Sequence, residues 1–277
     1  MINGHTDIIA HIGFPTHAFK APMIYNPWFE KAKVNAIVVP MGCQAPDYPS
    51  FLRSVFKLSN LRGALITMPH KVTTVGLLDE VLPTAAIAGA CNAVRRLNDG
   101  RLQGEMFDGE GFVRGVLRKG LVLKGASALV VGSGGVGCAI AASLAAAGVT
   151  ELALFDTHEA ASTSLAQRLL QHYPHIRVRT GIKDPAGMDL VVNATPMGMN
   201  EGDTMPLDVS RIDAATFVGE VVMKTEMTAF LAAAQARGCP VQVGSDMLFE
   251  QIPAYLEFFG FPSTTPDVLR SVAQLSY

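Results

Sequence analysis

Gly132-Ser133-Gly134-Gly135-Val136-Gly137 decides the fold of this chain. It follows a β-branched run, Ala128-Leu129-Val130-Val131, and precedes an Ala-rich helical run from Cys138 to Ala147. A second strand-like run, Glu151 to Phe155, ends at Asp156. Strand, glycine turn, helix, strand, acid is the order that a dinucleotide-binding unit requires. Gly132 permits the tight turn, Gly134 lets the backbone approach a pyrophosphate, and Gly137 lets the helix pack closely on the sheet. The helix N-terminus turns free N–H groups and a positive dipole end toward phosphates. The plainer alternative is a glycine-rich turn in an α/β domain that binds nothing.

Working outward, 277 residues suffice for a full core and are long for one domain, so two domains are expected. Charged residues make up only 17% against 49% hydrophobic, which excludes disorder. The longest apolar stretch, Cys138 to Ala147, is too short to span a bilayer. No basic segment with a cleavage site opens the chain. A net charge of −2 without Lys/Arg runs argues against nucleic acid and anionic membranes as partners. Cys43, Cys91, Cys138 and Cys239 lack metal or redox spacing and read as buried residues or free thiols. A cytoplasmic enzyme without a metal fits these features.

The first segment alternates strands and helices. Asp7 to Gly13, Ala36 to Pro40 and Gly63 to Met68 read as strands, and Pro22 to Ala32 and Phe51 to Leu58 as helices. That alternation predicts a largely parallel sheet. The second segment starts near Phe112. Its later strands are Ile176 to Thr180, Leu190 to Asn193, Phe217 to Val222 and Val241 to Val243. Its helices are Glu159 to His172 and Met227 to Arg237, and Met247 to Phe259 and Pro266 to Leu275 close the chain. The absence of a low-complexity linker suggests domains joined by helices, with a cleft between them.

Four strings place polar side chains at the ends of apolar elements: Ile66 to Lys71, Ala88 to Ala93, Gly104 to Gly111, and Gly244 to Gln251. Taken singly, Lys71 is an ordinary solvated lysine, Asp108 a turn residue, Asn92 a cap and Gln251 a helix-surface residue. Taken together and in this order, they resemble the shikimate dehydrogenase family. That family interconverts 3-dehydroshikimate and shikimate with a nicotinamide cofactor. Asn193-Ala194-Thr195-Pro196-Met197 resembles the family's loop at the edge of the cofactor site. The likeness runs from Gly13 to Gln251.

The resemblance implies an α/β protein with three parts. They are an N-terminal substrate domain (1–111), a Rossmann-type NAD-binding domain (112–244), and C-terminal helices (245–277) that return to the substrate domain. It implies Lys71 and Asp108 as the catalytic pair, since an alcohol that gives up hydride must give its proton to a base. Thr67, Asn92 and Gln251 would hold ring hydroxyls, with Phe19 and Ala21 lining the substrate site. The cofactor set would be Gly132, Ser133, Gly134, Gly135, Val136, Asp156, Thr157, Asn193, Thr195, Pro196, Met197, Val221, Gly244 and Met247. The partner is a small cyclic hydroxy acid, and a homodimer is compatible with all of this.

The chain also departs from the family. Its usual serine-lysine-serine-proline, whose hydroxyls bind the substrate carboxylate, is here Phe19-Lys20-Ala21-Pro22. A hydrogen bond to a charged group contributes about 1.5–3 kcal/mol. Losing two weakens a carboxylate substrate by roughly two to four orders of magnitude. Leu65, Met106-Phe107 and Met223 replace polar or tyrosine family residues, which makes the pocket more apolar. Thr16, His17 and Lys20 are the nearby groups that could replace the lost contacts, although His17 reads as a surface residue. Where NADP-using members carry asparagine-arginine-threonine, this chain has Asp156-Thr157-His158. An Asp there accepts from ribose hydroxyls and repels a 2′-phosphate, so NAD is expected. Asp156 also reads as the N-cap of the next helix. The rival readings are a quinate or aminoshikimate dehydrogenase and, in another class, a non-catalytic NAD-binding sensor. Retention of a proton-transfer pair argues against the sensor.

Overall fold

The structure is a computed structural model that describes residues 2–200 and 202–275. The chain divides into two compact units, Met1–Phe107 with Ile252–Tyr277, and Asp108–Gln251.

Unit one begins β1 (Asp7–Gly13), α1 (Pro22–Lys31), β2 (Ala36–Gly42), α2 (Tyr48–Val55) and β3 (Leu61–Ile66). It continues α3 (Lys71–Val75), β4 (Glu80–Val81), α4 (Pro83–Ala88), β5 (Ala93–Arg96) and β6 (Leu102–Glu105). The strand order is β2-β1-β3-β5-β6-β4. β1 pairs in parallel with both β2 and β3, and β4 pairs in parallel with β6. β5 runs antiparallel to β3 and to β6, so the sheet is mixed where a largely parallel one was expected. The cause is local. Leu97 donates its N–H to the Arg101 carbonyl at 2.8 Å, and Gly100 sits at φ +90°. A turn this short can join only antiparallel strands. α2 starts three residues before the expected Phe51, with Pro49 in its first turn, where a missing N–H costs nothing.

Unit two opens on α5 (Asp108–Arg118) and runs β7 (Ser127–Val131), α6 (Gly135–Ala146), β8 (Glu151–Phe155), α7 (Glu159–His172) and β9 (Arg177–Thr180). It continues β10 (Leu190–Asn193), β11 (Phe217–Glu220), α8 (Ala229–Ala236), β12 (Val241–Gln242) and α9 (Gly244–Phe259). Its sheet has the order β12-β11-β10-β7-β8-β9, with every pairing parallel. Counted from β7, this is the 3-2-1-4-5-6 order of the doubly wound dinucleotide fold. Leu129, Val131, Val191, Val218, Phe230 and Leu231 fill one layer of its core.

The units meet at 107/108 and 251/252 rather than at 111/112 and 244/245, because α5 is continuous from Asp108 and belongs wholly to unit two. A Cβ on Gly109 would collide with the Ala139 carbonyl on α6. A Cβ on Gly111 would lie 2.7 Å from the Met247 carbonyl and from Gln251 Cβ on α9. Two glycines two residues apart thus let α5 sit against both helices. The last part of α9 and α10 (Pro266–Val272) belong to unit one. There Phe259 packs on Gly63 of β3, and Gln274 donates its N–H to the Met23 carbonyl at 2.9 Å.

Candidate active site

In unit two the four glycines of the turn take three different roles. Gly132 has φ +103°, and a Cβ there would lie 2.7 Å from the Ala194 carbonyl oxygen. A Cβ on Gly137 would strike the Gly132 carbonyl, which is how α6 closes onto β7. Around Gly134 and Gly135 a Cβ would meet nothing within 4 Å. The backbone there is open, and no side chain caps the N-terminus of α6. Such a terminus presents N–H donors and positive potential to an anion. The Ser133 hydroxyl beside it is enclosed and lacks a partner. These features fit the pyrophosphate of a dinucleotide.

Asp156 stands at the end of β8. Its Oδ2 accepts the Ser133 N–H at 2.7 Å, and its Oδ1 accepts the His158 N–H at 2.8 Å. Burial raises its carboxyl, but these N–H donors, with His158 and Thr157, hold it below the ordinary range. Asp156 is therefore anionic, with lone pairs left for ribose hydroxyls. It is not the N-cap of α7. The helix starts at Glu159, so that position falls to His158, whose backbone is extended. Thr157 is exposed beside it.

After β10 the loop is held by its own side chains. Asn193 Oδ1 accepts from the Thr195 N–H (3.1 Å) and hydroxyl (2.6 Å). Thr195 Oγ1 accepts from the Met197 N–H at 3.1 Å, and Asn193 Nδ2 donates to the Met197 carbonyl at 3.0 Å. Pro196 sits inside this ring of bonds, and the Val221 N–H closes on the Asn193 carbonyl at 3.2 Å. Gly244 starts α9 against the Val222 carbonyl, where no side chain fits, and Met247 is buried one turn on. Val136 and Gly135 form the first turn of α6.

Sequence reasoning passed over Glu220. It ends β11 fully buried, and its Oε2 accepts from the Thr228 hydroxyl at 3.0 Å. Burial pushes its carboxyl up to about 7, against the lowering effect of Thr228 and Asn193. A charged residue closing an otherwise apolar strand run was the available signal.

Asp108 opens α5 and is buried. Gln251, which packs across Gly111 one turn along α5, is also buried, and its Oε1 lacks a partner. A buried orphan acceptor is uncommon in a folded protein and fits a hydroxyl donor from a ligand.

In unit one the Thr67 N–H bonds the Ile12 carbonyl at 3.0 Å, and the Cys91 N–H bonds the Lys71 carbonyl at 2.9 Å. Asn92 is buried, and its Oδ1 accepts the Phe107 N–H at 2.9 Å. The ends of β1 and β3 and the start of β5 therefore bring Thr67, Lys71 and Asn92 together. Gly13 ends β1, and a Cβ there would lie 3.0 Å from Phe19 Cζ and would collide with Thr67 Cγ2. Ala21 is the N-cap residue of α1, with no side-chain cap. Thr16 and His17 are exposed, and Lys20 is half-buried. All four cysteines are free and buried. Among the described residues no cluster suits a metal ion, and no helix is long and apolar enough to cross a membrane.

Comparison with known proteins agrees with this arrangement. Residues 12–94 match the shikimate dehydrogenase substrate binding domain, and residues 117–180, which hold the glycine turn, match the ThiF family. A shikimate dehydrogenase (NADP(+)) from Desulforamulus reducens is 31% identical over 98% of this chain and 96% of its own length. The shikimate 5-dehydrogenase of Listeria monocytogenes, solved with shikimate and NAD, superposes with a TM-score of 0.90 at 25% identity. That match covers 98% of this chain and 97% of the other. The quinate dehydrogenase of Corynebacterium glutamicum, solved with NAD, gives 0.85 at 29% identity, over 98% and 99%. With full-length likeness added to a doubly wound dinucleotide unit and an ordered set of polar residues in both units, the chain belongs to the shikimate dehydrogenase family.

Proposed function

We propose that this protein is an NAD-dependent oxidoreductase acting on a ring hydroxyl of shikimate or a close relative, with weak activity on shikimate itself. The observation that carries this reading is the open backbone at Gly134–Gly135, tied through Ser133 to an anionic Asp156. Asp156 stands where a 2′-phosphate would need a cation, and both of its oxygens already accept backbone N–H groups. Curated relatives are named for NADP(+), whereas the Listeria and Corynebacterium structures hold NAD. The acid at this place favours the second group.

The dinucleotide supplies hydride chemistry when bound. Ser133 to Val136, Asp156, Thr157, the Asn193–Met197 loop, Val221, Gly244 and Met247 would hold it. Lys71 would take the proton of the reacting hydroxyl oxygen, or return it in the reductive direction, and Asp108 would orient Lys71. Thr67, Asn92 and Gln251 would fix ring hydroxyls. A quinate-type substrate uses the same groups, and the Corynebacterium likeness favours it as the second reading. The test is NAD and NADP titration of the purified protein, followed by NADH formation with a panel of cyclic hydroxy acids and their carboxylate-free hydroxyl analogues. NAD binding with turnover of at least one hydroxy acid is expected. NAD binding with no turnover across the panel would favour a sensor.

A further inference from the structure

Unit one contains two buried histidines in similar settings, and they differ in one respect. His70 lies flat on Tyr48, with ring centroids 3.9 Å apart, and its Nε2 bonds the Cys43 carbonyl at 2.8 Å. It is a satisfied structural histidine. His11 lies flat on Phe19, with centroids 4.0 Å apart, but its Nδ1 is enclosed and has no partner. Its neighbours in register are Pro40 on β2 and Leu65 on β3, and neither side chain offers a hydrogen bond.

His11 also sits among the candidate site residues. Phe19, which covers it, reaches over Gly13 to the side of Thr67. Burial, and then the nearby Lys71 charge, lower the His11 imidazole to about 4, so it is neutral in ordinary buffers. A neutral imidazole has one N–H and one bare nitrogen. Bare Nδ1 with protonated Nε2 is the tautomer that leaves no N–H donor enclosed at Nδ1 without a partner. A bare nitrogen needs an O–H or N–H donor. A carboxylate has none to offer, whereas a hydroxyl does. Phe19, stacked on His11, and Leu65, beside it in register, are both apolar.

We propose that His11 and Phe19 form a specificity wall that selects an uncharged, hydroxyl-bearing substituent on the substrate in place of a carboxylate. This rests on the oxidoreductase reading above and names the substrate class for it, a neutral polyhydroxylated ring compound. Phe19 would have to slide along the imidazole for the substituent hydroxyl to reach and donate to the enclosed His11 Nδ1.

The test compares shikimate with its analogue carrying a hydroxymethyl group in place of the carboxylate. Binding to the NAD-loaded protein is measured by calorimetry, and NADH formation is followed in parallel. The wild type should bind the hydroxymethyl analogue at least about tenfold more tightly than shikimate. His11→Leu should bring the two within about twofold. His11→Asn, which keeps an acceptor near Nδ1, should retain the preference. NAD affinity should be unchanged in both variants, which also reports that they are folded. Equal or tighter binding of shikimate by the wild type overturns the proposal. So does a preference that survives in His11→Leu, or no measurable binding of either ligand. If His11→Leu does not fold, the wild-type ratio alone decides. A His11-dependent preference without turnover leaves this assignment standing and removes the oxidoreductase reading. Turnover without that preference does the reverse.

Discussion

Ser133 donates its backbone N–H to Asp156 Oδ2 across 2.7 Å, joining the glycine turn after β7 to the acid that ends β8. The acid thus does two things. It shapes the glycine turn, and it brings negative charge to the end of β8, which in the proposed reading faces the adenine ribose.

A prediction about cofactor choice follows. The wild type should strongly favour NAD over NADP. Asp156→Asn keeps an oxygen for one of the two N–H groups and removes the charge, so the gap should narrow. It should not invert, because Asn adds no cationic clamp for a phosphate. Asp156→Ala should weaken both cofactors, since the Ser133 N–H loses its acceptor. Comparable kcat/KM for the two cofactors in the wild type would show that Asp156 does not face the ribose.

The second prediction concerns proton transfer. Lys71→Ala should lower turnover by about two to four decades, the usual worth of a general acid-base group. NAD affinity should hardly move, because Lys71 lies in unit one and the glycine turn in unit two. Asp108→Asn should lower turnover by less, as expected of a residue that orients the base. Near-normal turnover of Lys71→Ala, measured at substrate saturation, would remove this mechanism.

Glu220 yields a prediction about stability. Its folded carboxyl titrates near 7, against 4.5 for an ordinary Glu. The folded state therefore holds this proton more tightly than the unfolded state does. The resulting stability is fully present below about pH 4.5 and is lost as pH rises toward about 7, a loss of about 3 kcal/mol. Glu220→Gln keeps the shape and a hydrogen bond to Thr228 without a charge. Denaturation at about pH 5 and about pH 8 should show the wild type weakening more than the variant. Equal weakening would mean that Glu220 does not carry the proton.

Much of unit two was legible because its signals are local. The turn glycines and the β-branched runs at β7 and β10 lie within a few residues of what they shape, and Asp156 directly follows the strand run of β8. β5, β6 and α5 were not legible. Ala93–Arg96 and Leu102–Glu105 are four-residue strands with half their residues polar, too short for a periodic pattern to register. The Asn98-Asp99-Gly100 turn between them was the missed clue. α5 was hidden because Asp108-Gly109-Glu110-Gly111 looks like a turn. Its two glycines are there for close approach to α6 and α9, and no residue within α5 reveals those partners. His11 and Glu220 were missed for a similar reason. Their meaning depends on what lies beside them across the sheet, Phe19 on one and Thr228 on the other.

The last prediction is that shikimate is a poor substrate. Phe19 and Ala21 stand where the family's two carboxylate-binding serines would be, and Phe19 is buried on His11. If the lost contacts hold substrate and transition state equally, the defect appears mainly in KM. If the carboxylate also sets the ring for hydride transfer, kcat falls too. Phe19→Ser with Ala21→Ser should then improve kcat/KM for shikimate and leave a carboxylate-free ring analogue unimproved. The double variant carries a structural cost. Truncating a buried Phe typically removes about 3–5 kcal/mol. A serine at the uncapped start of α1 recovers about 1 kcal/mol if it accepts from the first turn. The comparison therefore belongs well below the variant's melting temperature, with NAD affinity as the check on folding. Should the wild type hold shikimate as tightly as a serine-bearing relative does, another group is gripping the carboxylate. Half-buried Lys20, between the two replaced positions, would be the first residue to substitute.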